Sequence, residues 1–152
     1  MPQGIAMKTV AHILKSKPDQ SVYTITPTAS VLDALKLMAE KNVGALLVMD
    51  GEKIAGIITE RDYARKIILR GRSSKDTPVH DIMTSSVMCV RPEQTSEECM
   101  MLMTENRLRH LPILDNGKLV GLISIGDLVK DIISEQQFII EQLEHYIAGD
   151  RA

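Results

Sequence analysis

Two short segments of the chain carry residues that could hold a small ligand. The segment "GIITERD" spans residues 56–62 and "GLISIGD" spans residues 121–127, and both place a hydroxyl three residues before an aspartate. Each follows an apolar run, so we expect each aspartate to lie where a strand ends and a helix begins. Backbone N–H groups and the helix dipole at such a junction favour a phosphate. Asp62 and Asp127 therefore mark two candidate binding positions.

The carboxylates themselves would repel a phosphate and need a neutral hydrogen-bond donor as partner. The paired hydroxyls of a ribose are such a partner, because two donors then match two acceptor oxygens. Thr59 or Ser124, one turn earlier, could donate to the first phosphate. Aspartate is also a good helix N-cap. The residue chemistry leaves capping and ribose binding open, and one aspartate can do both.

The two segments belong to an internal repeat. Aligning the chain with itself at an offset of 65 pairs residues 24–63 with residues 89–128 without a gap, and about ten of these forty pairs are identical. Upstream, "VAHIL" (10–14) matches "VHDIM" (79–83) at an offset of 69, so the first copy has about four extra loop residues. A unit of about 60 residues is marginally stable alone. We therefore expect two similar units that share a core.

Each copy has the same order of predicted elements. The first helix is "SVLDALKLMAEKN" (30–42), with Ser30 and Asp33 in capping-box positions, and Thr95 and Glu98 take these roles before "CMMLMTENR". The apolar runs "ALLVM" and "HLPIL" predict strands, and "DGEK" and "DNGK" predict hairpin turns. The returning strands are "IAGII" and "LVGLI", followed by helices in "RDYARKIILR", ended by Gly71, and "DLVKDIISEQQFIIEQLEHYI".

Composition excludes several classes of function. A net charge of −2 and a pI of 6.1 give no bulk attraction to nucleic acid or to anionic membranes. One Phe, three Tyr and no Trp argue against a base-stacking surface. No apolar run approaches the roughly 20 residues of a membrane helix, and the start of the chain lacks an export signal. Cys89 and Cys99 fit no metal spacing, so we interpret them as reduced thiols of a cytoplasmic protein.

The chain also lacks the usual signatures of catalysis. It contains no nucleophile elbow, no paired acid and base, and no metal-ligating group of His, Cys and Asp. The segment "GIITERD" has no Gly-Lys-[Ser/Thr] ending and is not a P-loop. We therefore predict no catalytic residues and no metal site.

The tandem resembles a pair of cystathionine-β-synthase (CBS) domains, also called a Bateman module. The resemblance covers residues 8–133 and rests on "VHDIM", Pro92 after a short strand, "RHLPILD" (109–115) and the two Gly-h-h-[Ser/Thr]-x-x-Asp segments. It implies an α/β (α+β) fold with two pseudo-symmetric β-α-β-β-α repeats packed as one module. The implied boundaries are a first CBS domain at 8–68, a linker at 69–78, a second CBS domain at 79–134 and a C-terminal helical extension at 135–152.

Members of this family bind adenine nucleotides or related adenosyl compounds between the repeats, and each site combines the aspartate segment of one repeat with the strand start of the other. The resemblance implies that the first cleft combines Thr59, Arg61 and Asp62 with Leu108, Arg109 and His110. It implies that the second combines Ser124, Gly126 and Asp127 with Val43, Gly44 and Ala45. The adenine would lie between the stretches that contain Val22, Thr24, Val87 and Cys89.

The two clefts are not equivalent in charge. Arg61 and Arg109 could bind phosphate bidentately in the first cleft, but both could also be solvated surface charges. His110 could equally be a structural histidine. The second cleft has glycine and alanine at the matching positions and could borrow Lys15 or Lys17 from the extra loop.

The leading functional hypothesis is a stand-alone, non-catalytic sensor that binds AMP, ADP, ATP or NAD and signals to an unknown target protein. Family members commonly form disc-shaped dimers, so a homodimer is expected. The apolar tail "FIIEQLEHYI" (138–147) favours a partner, although it could instead fold back on the chain's own core. The alternatives are a ligand-independent dimerisation or scaffold module and an enzyme.

Overall fold

The computed structural model describes residues 8–149, with side chains described as far as residue 147. The helices are α1 (Val10–Ser16), α2 (Val31–Lys41), α3 (Glu60–Tyr63), α4 (Ser96–Asn106) and α5 (Ile125–Gly149). The strands are β1 (Thr24–Ile25), β2 (Ala45–Asp50), β3 (Lys53–Thr59), β4 (His110–Asp115) and β5 (Lys118–Ser124). A π-helix (Ala64–Ile68) follows α3, and a short 3₁₀-helix spans Val79–Asp81. No described helix combines the length and the apolar content that a membrane span requires.

The contacts divide the chain into two compact units. The central unit contains residues 21–89 and 114–121, and the terminal unit contains residues 8–20, 90–113 and 122–149. The units do not follow the order of the repeats along the chain, because α1 belongs to the terminal unit and residues 79–89 belong to the central unit. The boundaries inferred from the family resemblance stay a prediction.

The central unit is built on a three-stranded sheet in the order β1-β2-β3. Strand β1 is parallel to β2, and β2 and β3 form an antiparallel hairpin. The helix α2 and the segment 79–82 cover one face of this sheet, and nine side chains form the core there: Val31, Ala34, Met38, Leu46, Val48, Ile58, Ile67, Val79 and Ile82. The apolar run that predicted β2 is buried without interruption from Ala45 to Val48, as expected for a strand with both faces covered.

The helix caps are those predicted from the sequence. The Ser30 hydroxyl accepts a hydrogen bond from the Asp33 N–H at 3.1 Å, and the Thr95 hydroxyl accepts one from the Glu98 N–H at 3.2 Å. These bonds satisfy N–H groups that have no partner inside the helix. The predicted helices α2 and α4 are therefore confirmed. The predicted strand pairs β2–β3 and β4–β5 are also present.

The short strand expected before Pro92 pairs at one position only. Val90 forms only an isolated parallel bridge with Ile113, and its N–H donates to the Pro112 carbonyl at 2.9 Å. In the first copy, the Leu47 N–H donates to the Tyr23 carbonyl at 3.2 Å and extends the pairing. Pro112 occupies the repeat position of Leu47 and has no N–H to donate. One proline therefore reduces this strand to a single bridge.

The predicted helix in "RDYARKIILR" is also irregular. Only Glu60–Tyr63 is α-helical, and Ala64–Ile68 widens into a π-helix before the chain turns at Gly71, which has φ +65°. A π-helix carries no periodicity that distinguishes it from an α-helix over five residues. The end at Gly71 is as predicted, because glycine adopts a positive φ at little cost.

Gly56, the glycine of the first of the two repeated motifs, is required by close packing. Thr84 and Ile57 exchange two backbone hydrogen bonds of 2.9 Å, which bring residues 83–84 over β3 at Gly56. A Cβ atom at Gly56 would lie 2.7 Å from the Thr84 carbonyl oxygen and 2.8 Å from the Met83 sulfur. Real side chains do not approach backbone atoms so closely, so only glycine fits here.

The terminal unit joins segments that are far apart in sequence. The N–H groups of Val10 and Ala11 donate to the carbonyl oxygens of Gln94 and Pro92 at 2.8 and 2.9 Å, so α1 is tied to the loop before α4. Nine apolar side chains of this unit are buried: Val10, Ile13, Val90, Cys99, Met103, Leu111, Ile113, Ile123 and Leu128. The Cys99 thiol lies in this core, and burial together with the nearby Glu98 raises its pKa to about 11.

Candidate functional site

Asp62 lies at the junction of β3 and α3 and closes a capping box. The Thr59 hydroxyl accepts a hydrogen bond from the Asp62 N–H at 3.1 Å. In return, the Asp62 Oδ2 accepts from the Thr59 N–H at 3.0 Å and from the Thr59 hydroxyl at 3.1 Å. The sequence left open that Asp62 is itself the N-cap, but the N-cap of α3 is Thr59 and Asp62 is the third helical residue of its capping box.

The second oxygen of Asp62 is also occupied by the chain itself. Its Oδ1 is 3.1 Å from the Lys66 ammonium and 3.4 Å from the Thr84 hydroxyl. Lys66 donates in addition to the Ile82 carbonyl at 2.8 Å, and Asp62 is only 8% exposed. A ribose could reach this carboxylate only by displacing donors that already satisfy both oxygens.

Asp127 repeats the capping box at the junction of β5 and α5. Its Oδ2 accepts from the Ser124 N–H at 2.8 Å, and its own N–H donates to the Ser124 hydroxyl at 3.1 Å. Lys17, from the extra loop after α1, is 3.0 Å from the same Oδ2 and donates to the Leu122 carbonyl at 2.8 Å. The Oδ1 atom of Asp127 has no hydrogen-bond or ion-pair partner within the described part of the chain, and the side chain is 20% exposed. One oxygen is thus open to a ligand.

A cavity of about 160 Å³ lies next to Asp127 within the terminal unit. Three lysines line it, namely Lys8, Lys17 and Lys130, together with Asp127 and Asp131. Lys8 pairs with the Asp131 Oδ1 at 2.9 Å. The surplus of lysine over aspartate makes this neighbourhood suitable for an anionic group.

The two copies differ in the source of the cation beside the motif aspartate. In the first copy Lys66, four residues after Asp62, supplies it from the π-helix that continues α3. In the second copy the matching position is Asp131, so the cation comes from Lys17 on the loop instead. The carboxylate of Asp131 is itself buried, and its Oδ2 has no partner in the described structure.

Each strand start contacts the aspartate segment of its own copy. The Glu60 N–H donates to the Gly44 carbonyl at 3.1 Å, and Ala45 pairs with Thr59 in the sheet. Equivalently, the Ile125 N–H donates to the Arg109 carbonyl at 2.9 Å. The groupings that the resemblance implies combine residues of different units, and they stay predictions.

The remaining predicted residues lie at several places in the two units. Val22, Thr24, Val87 and Cys89 all belong to the central unit, with Thr24 in β1 and Cys89 exposed. Val43 and Leu108 are half-buried at the two strand starts, and Gly126 is exposed in the first turn of α5. These positions can contribute backbone groups and apolar contacts, but they bring no charge to a site.

The arginines are exposed in this structure. Neither Arg61 nor Arg109 makes an ion pair with another described residue. This is the solvated state that the sequence left as an alternative. Both side chains are long enough to turn towards an anion that binds nearby.

His110 is the first residue of β4 and lies in the electrostatic neighbourhood of Asp127. Burial lowers the pKa of His110, the Asp127 carboxylate opposes this shift, and Lys17 and Arg109 add to the lowering. The terminal unit therefore brings Arg109, His110, Lys17 and Asp127 together. No group of three or more His, Cys, Asp and Glu suited to a metal ion occurs within residues 8–149.

The lowered pKa of His110 predicts that acid destabilises the protein. In the unfolded chain His110 binds a proton near pH 6.5, and in the folded state it does so only at lower pH. Its contribution to the free energy of unfolding is therefore complete above about pH 6.5. It is lost as the pH falls through the folded value. We expect His110→Gln to reduce the slope of stability against pH, by up to about 1.4 kcal/mol per pH unit. Urea unfolding between pH 5 and 8 measures the slope.

The exposed His12 supplies the matched control for this measurement. His12→Gln should leave the slope as it is in the unmodified protein. An unchanged slope in His110→Gln would show that the neutral form of this histidine does not stabilise the fold.

Sequence reasoning missed several residues that surround the two aspartates. Lys66 had a readable signal, because an aspartate and a lysine four residues apart pair on one helix face. Thr84 had none, since it is 22 residues from Asp62 along the chain. Lys17 was considered for the second cleft, and the structure places it against Asp127.

Comparisons with a family profile, with curated proteins and with solved structures all match this chain to proteins with CBS domains. The family profile of the CBS domain matches residues 10–69 and 79–134. The Arabidopsis thaliana "CBS domain-containing protein CBSX3, mitochondrial" is 43% identical over 154 residues, which cover 96% of this chain and 75% of that protein. A CBS-domain structure from Burkholderia ambifaria, described as a candidate signal-transduction protein, is 63% identical with a TM-score of 0.82, over 85% of this chain and 96% of that chain.

A more distant structure was solved with ligands. The CBS domain pair of protein MJ0100, in complex with 5′-methylthioadenosine and S-adenosyl-L-methionine, has a TM-score of 0.74 at 23% identity, covering 86% of this chain and 99% of that chain. At this identity the likeness concerns the fold.

Proposed function

Because this chain belongs to the CBS domain family, with two copies covering most of its length, we propose that it is a non-catalytic regulatory module for an adenosyl ligand. The ligand class includes AMP, ADP, ATP and NAD, and also adenosyl compounds without phosphate. The two ligands of the MJ0100 domain pair support this class, since both contain an adenosine and neither contains a phosphate.

The open oxygen of Asp127 is the observation that carries the proposal. A ribose hydroxyl can donate to Oδ1 without displacing the Ser124 N–H or Lys17 from Oδ2. A hydrogen bond to a charged acceptor contributes about 1.5–3 kcal/mol. Asp127 thus completes the capping box with Ser124 at the start of α5 and still offers an acceptor for a sugar.

The charges near Asp127 extend the proposal to ligands with phosphate. Lys17 and Lys130 line the neighbouring cavity, and Arg109 directly precedes His110, whose pKa the Asp127 carboxylate shifts. A phosphate attached to the ribose would meet these cations instead of the carboxylate. A ligand that binds one arrangement of the two repeats more tightly than another would shift their equilibrium, and a target protein could respond to that shift.

A ligand-independent scaffold is the second candidate. The observation that favours it is Asp62, whose carboxylate is satisfied by Thr59, Lys66 and Thr84 and is nearly buried. At this position the repeated motif has a structural role that requires no ligand. A cytoplasmic location, a homodimer, a target protein and the lack of nucleic-acid and membrane partners stay predictions from the sequence.

A nucleotide panel tests the proposed function directly. We expect AMP, ADP, ATP, NAD, S-adenosyl-L-methionine or 5′-methylthioadenosine to raise the melting temperature of the purified protein. A ligand at 100 times its dissociation constant stabilises a fold by about 2.7 kcal/mol. Inorganic phosphate and guanosine serve as controls for anion and base. If calorimetry also detects no binding of any adenosyl compound, the scaffold is the better description.

A further inference from the structure

The cavity beside Asp127 lies between α1 and α5, and we call it the α1–α5 cavity. It has a volume of about 160 Å³ and is lined by Lys8, Ile13, Ser16, Lys17, Pro18, Asp127, Lys130, Asp131 and Ser134. All of these residues belong to the terminal unit. Of the residues that the family resemblance assigns to the two clefts, only Asp127 lines it.

Two ion pairs account for most of the charge in the α1–α5 cavity. Lys8 pairs with the Asp131 Oδ1 at 2.9 Å, and Lys17 pairs with the Asp127 Oδ2 at 3.0 Å. Among the described residues, the Lys130 ammonium has no ion-pair partner. The Asp131 Oδ2 is buried and has no hydrogen-bond partner in the same part of the chain. The cavity therefore has one unpaired cation and one unsatisfied acceptor.

Asp131 gives the stronger indication of a ligand. The residue is only 8% exposed. A charged acceptor that folding removes from water without giving it a donor is costly. An aspartate carboxylate turns easily about its terminal torsion, so a donor that enters the cavity can reach the free oxygen. A ligand with such a donor would remove the cost.

We propose that the α1–α5 cavity binds the head group of an α-amino acid. The ammonium of the head group donates to Asp131, and its carboxylate pairs with Lys130. Hydrogen bonds between charged partners are roughly twice as strong as neutral ones. The phosphate dianion of a nucleotide would also pair with the lysine, but it offers acceptor oxygens only and leaves the aspartate without a donor.

The size and the lining of the cavity fit this head group. An engineered protein cavity of about 150 Å³ holds benzene, so a cavity of about 160 Å³ has room for a similar number of heavy atoms. The ammonium, the carboxylate, Cα and Cβ of an amino acid together have as many heavy atoms as benzene. Ile13 and Pro18 supply apolar contacts for the carbon atoms. Lys130 and Ser134 are exposed, so a ligand can enter from solvent beside them.

The head group can come from two sources. One is a free amino acid, which requires no other part of the proposed site. The other is the amino-acid end of an adenosyl ligand such as S-adenosyl-L-methionine, and this source rests on the proposed function. Asp127 and Asp131 are four residues apart on α5, which is a rise of about 6 Å. The chain that joins the ribose to the amino-acid end spans such a distance.

A pair of adenosyl ligands tests the second source. S-adenosyl-L-homocysteine keeps the amino-acid end, and 5′-methylthioadenosine lacks it. By isothermal titration calorimetry we expect the first ligand to bind the unmodified protein at least about tenfold more tightly, as one charged hydrogen bond commonly contributes. Lys130→Gln and Asp131→Asn should each reduce this ratio to below about threefold. Lys36→Gln, which removes an exposed lysine from α2, should keep the full ratio.

L-alanine tests the first source. So small a ligand is expected to bind weakly, so the measurement uses millimolar concentrations. L-alanine should raise the melting temperature more than propionate, which lacks the ammonium, or ethylamine, which lacks the carboxylate. This difference should disappear in Lys130→Gln, whose fold circular dichroism checks, and persist in Lys36→Gln.

The outcomes separate this inference from the proposed function. Equal binding of S-adenosyl-L-homocysteine and 5′-methylthioadenosine, together with no specific effect of L-alanine, would refute the head-group site while the proposed function stands. Specific stabilisation by L-alanine without binding of any adenosyl compound would support the head-group site and refute the proposed function.

Discussion

Replacing Asp127 with asparagine is expected to weaken the binding of an adenosyl ligand by about ten- to a hundredfold. The substitution keeps the shape of the side chain but removes the charge that strengthens a hydrogen bond from the ribose, which contributes about 1.5–3 kcal/mol. Isothermal titration calorimetry with the ligand that gives the largest thermal shift measures the effect. The ion pair with Lys17 is partly exposed, so the free energy of unfolding should change by less than about 1 kcal/mol.

Two controls, a 2′-deoxy ligand and the variant Asp62→Asn, test whether the loss of affinity comes from the contact between Asp127 and the ribose. A 2′-deoxy ligand should lose a similar factor with the unmodified protein and should lose little more with Asp127→Asn. Asp62→Asn should act mainly on folding, because it removes a nearly buried acceptor of four hydrogen bonds or ion pairs. We expect a loss of about 1–3 kcal/mol in stability there. Full affinity in Asp127→Asn would exclude this carboxylate as the ribose acceptor.

Gly56→Ala is expected to destabilise the protein by about 1–3 kcal/mol, as overpacking commonly does. The added methyl group would lie 2.7 Å from the Thr84 carbonyl, so β3 and the segment 83–84 must separate. That separation would strain the paired hydrogen bonds between Ile57 and Thr84. Urea unfolding monitored by circular dichroism measures the loss.

Gly126→Ala is the control for the loss of glycine itself. A Cβ atom there lies 3.5 Å from the Ser124 hydroxyl, an ordinary contact, and the position is helical. Alanine is favoured over glycine in helices by up to about 1 kcal/mol, so this variant should be as stable as the parent protein or more stable. Equal stability of Gly56→Ala and the parent would show that β3 and residues 83–84 move apart freely.

The predicted elements succeeded where local chemistry determines the structure. Ser30 and Thr95 cap their helices, and the Asp-Gly and Asn-Gly pairs turn both hairpins, because these effects act within a few residues. A short strand before Pro92 was predicted, but its reduction to a single bridge at Val90 was not, although the cause, Pro112, stands in the sequence. Its effect depends on which strand lies beside it, and a strand pattern does not specify its neighbour.

The candidate site was predictable only in part for the same reason. The strand-to-helix position of both aspartates followed from the motif, whereas their place as third residues of capping boxes, with Thr59 and Ser124 as the caps, was not predicted. The difference between them depends on residues that arrive from elsewhere: Thr84 and Lys66 occupy Asp62, whereas Lys17 leaves one oxygen of Asp127 open. Contacts between residues far apart in the chain leave no periodic pattern in the sequence, so they could not be predicted from it.

The assignment of α1 to the terminal unit has a consequence for synthesis on the ribosome. The Val10 N–H donates to the Gln94 carbonyl, so α1 cannot form its native contacts until more than eighty further residues have been synthesised. While the first repeat is being synthesised, the apolar side chains of α1 would therefore lack the residues that bury them. Severing the chain between residues 71 and 78 should therefore yield two fragments that fold only when mixed, and neither half would be an autonomous domain.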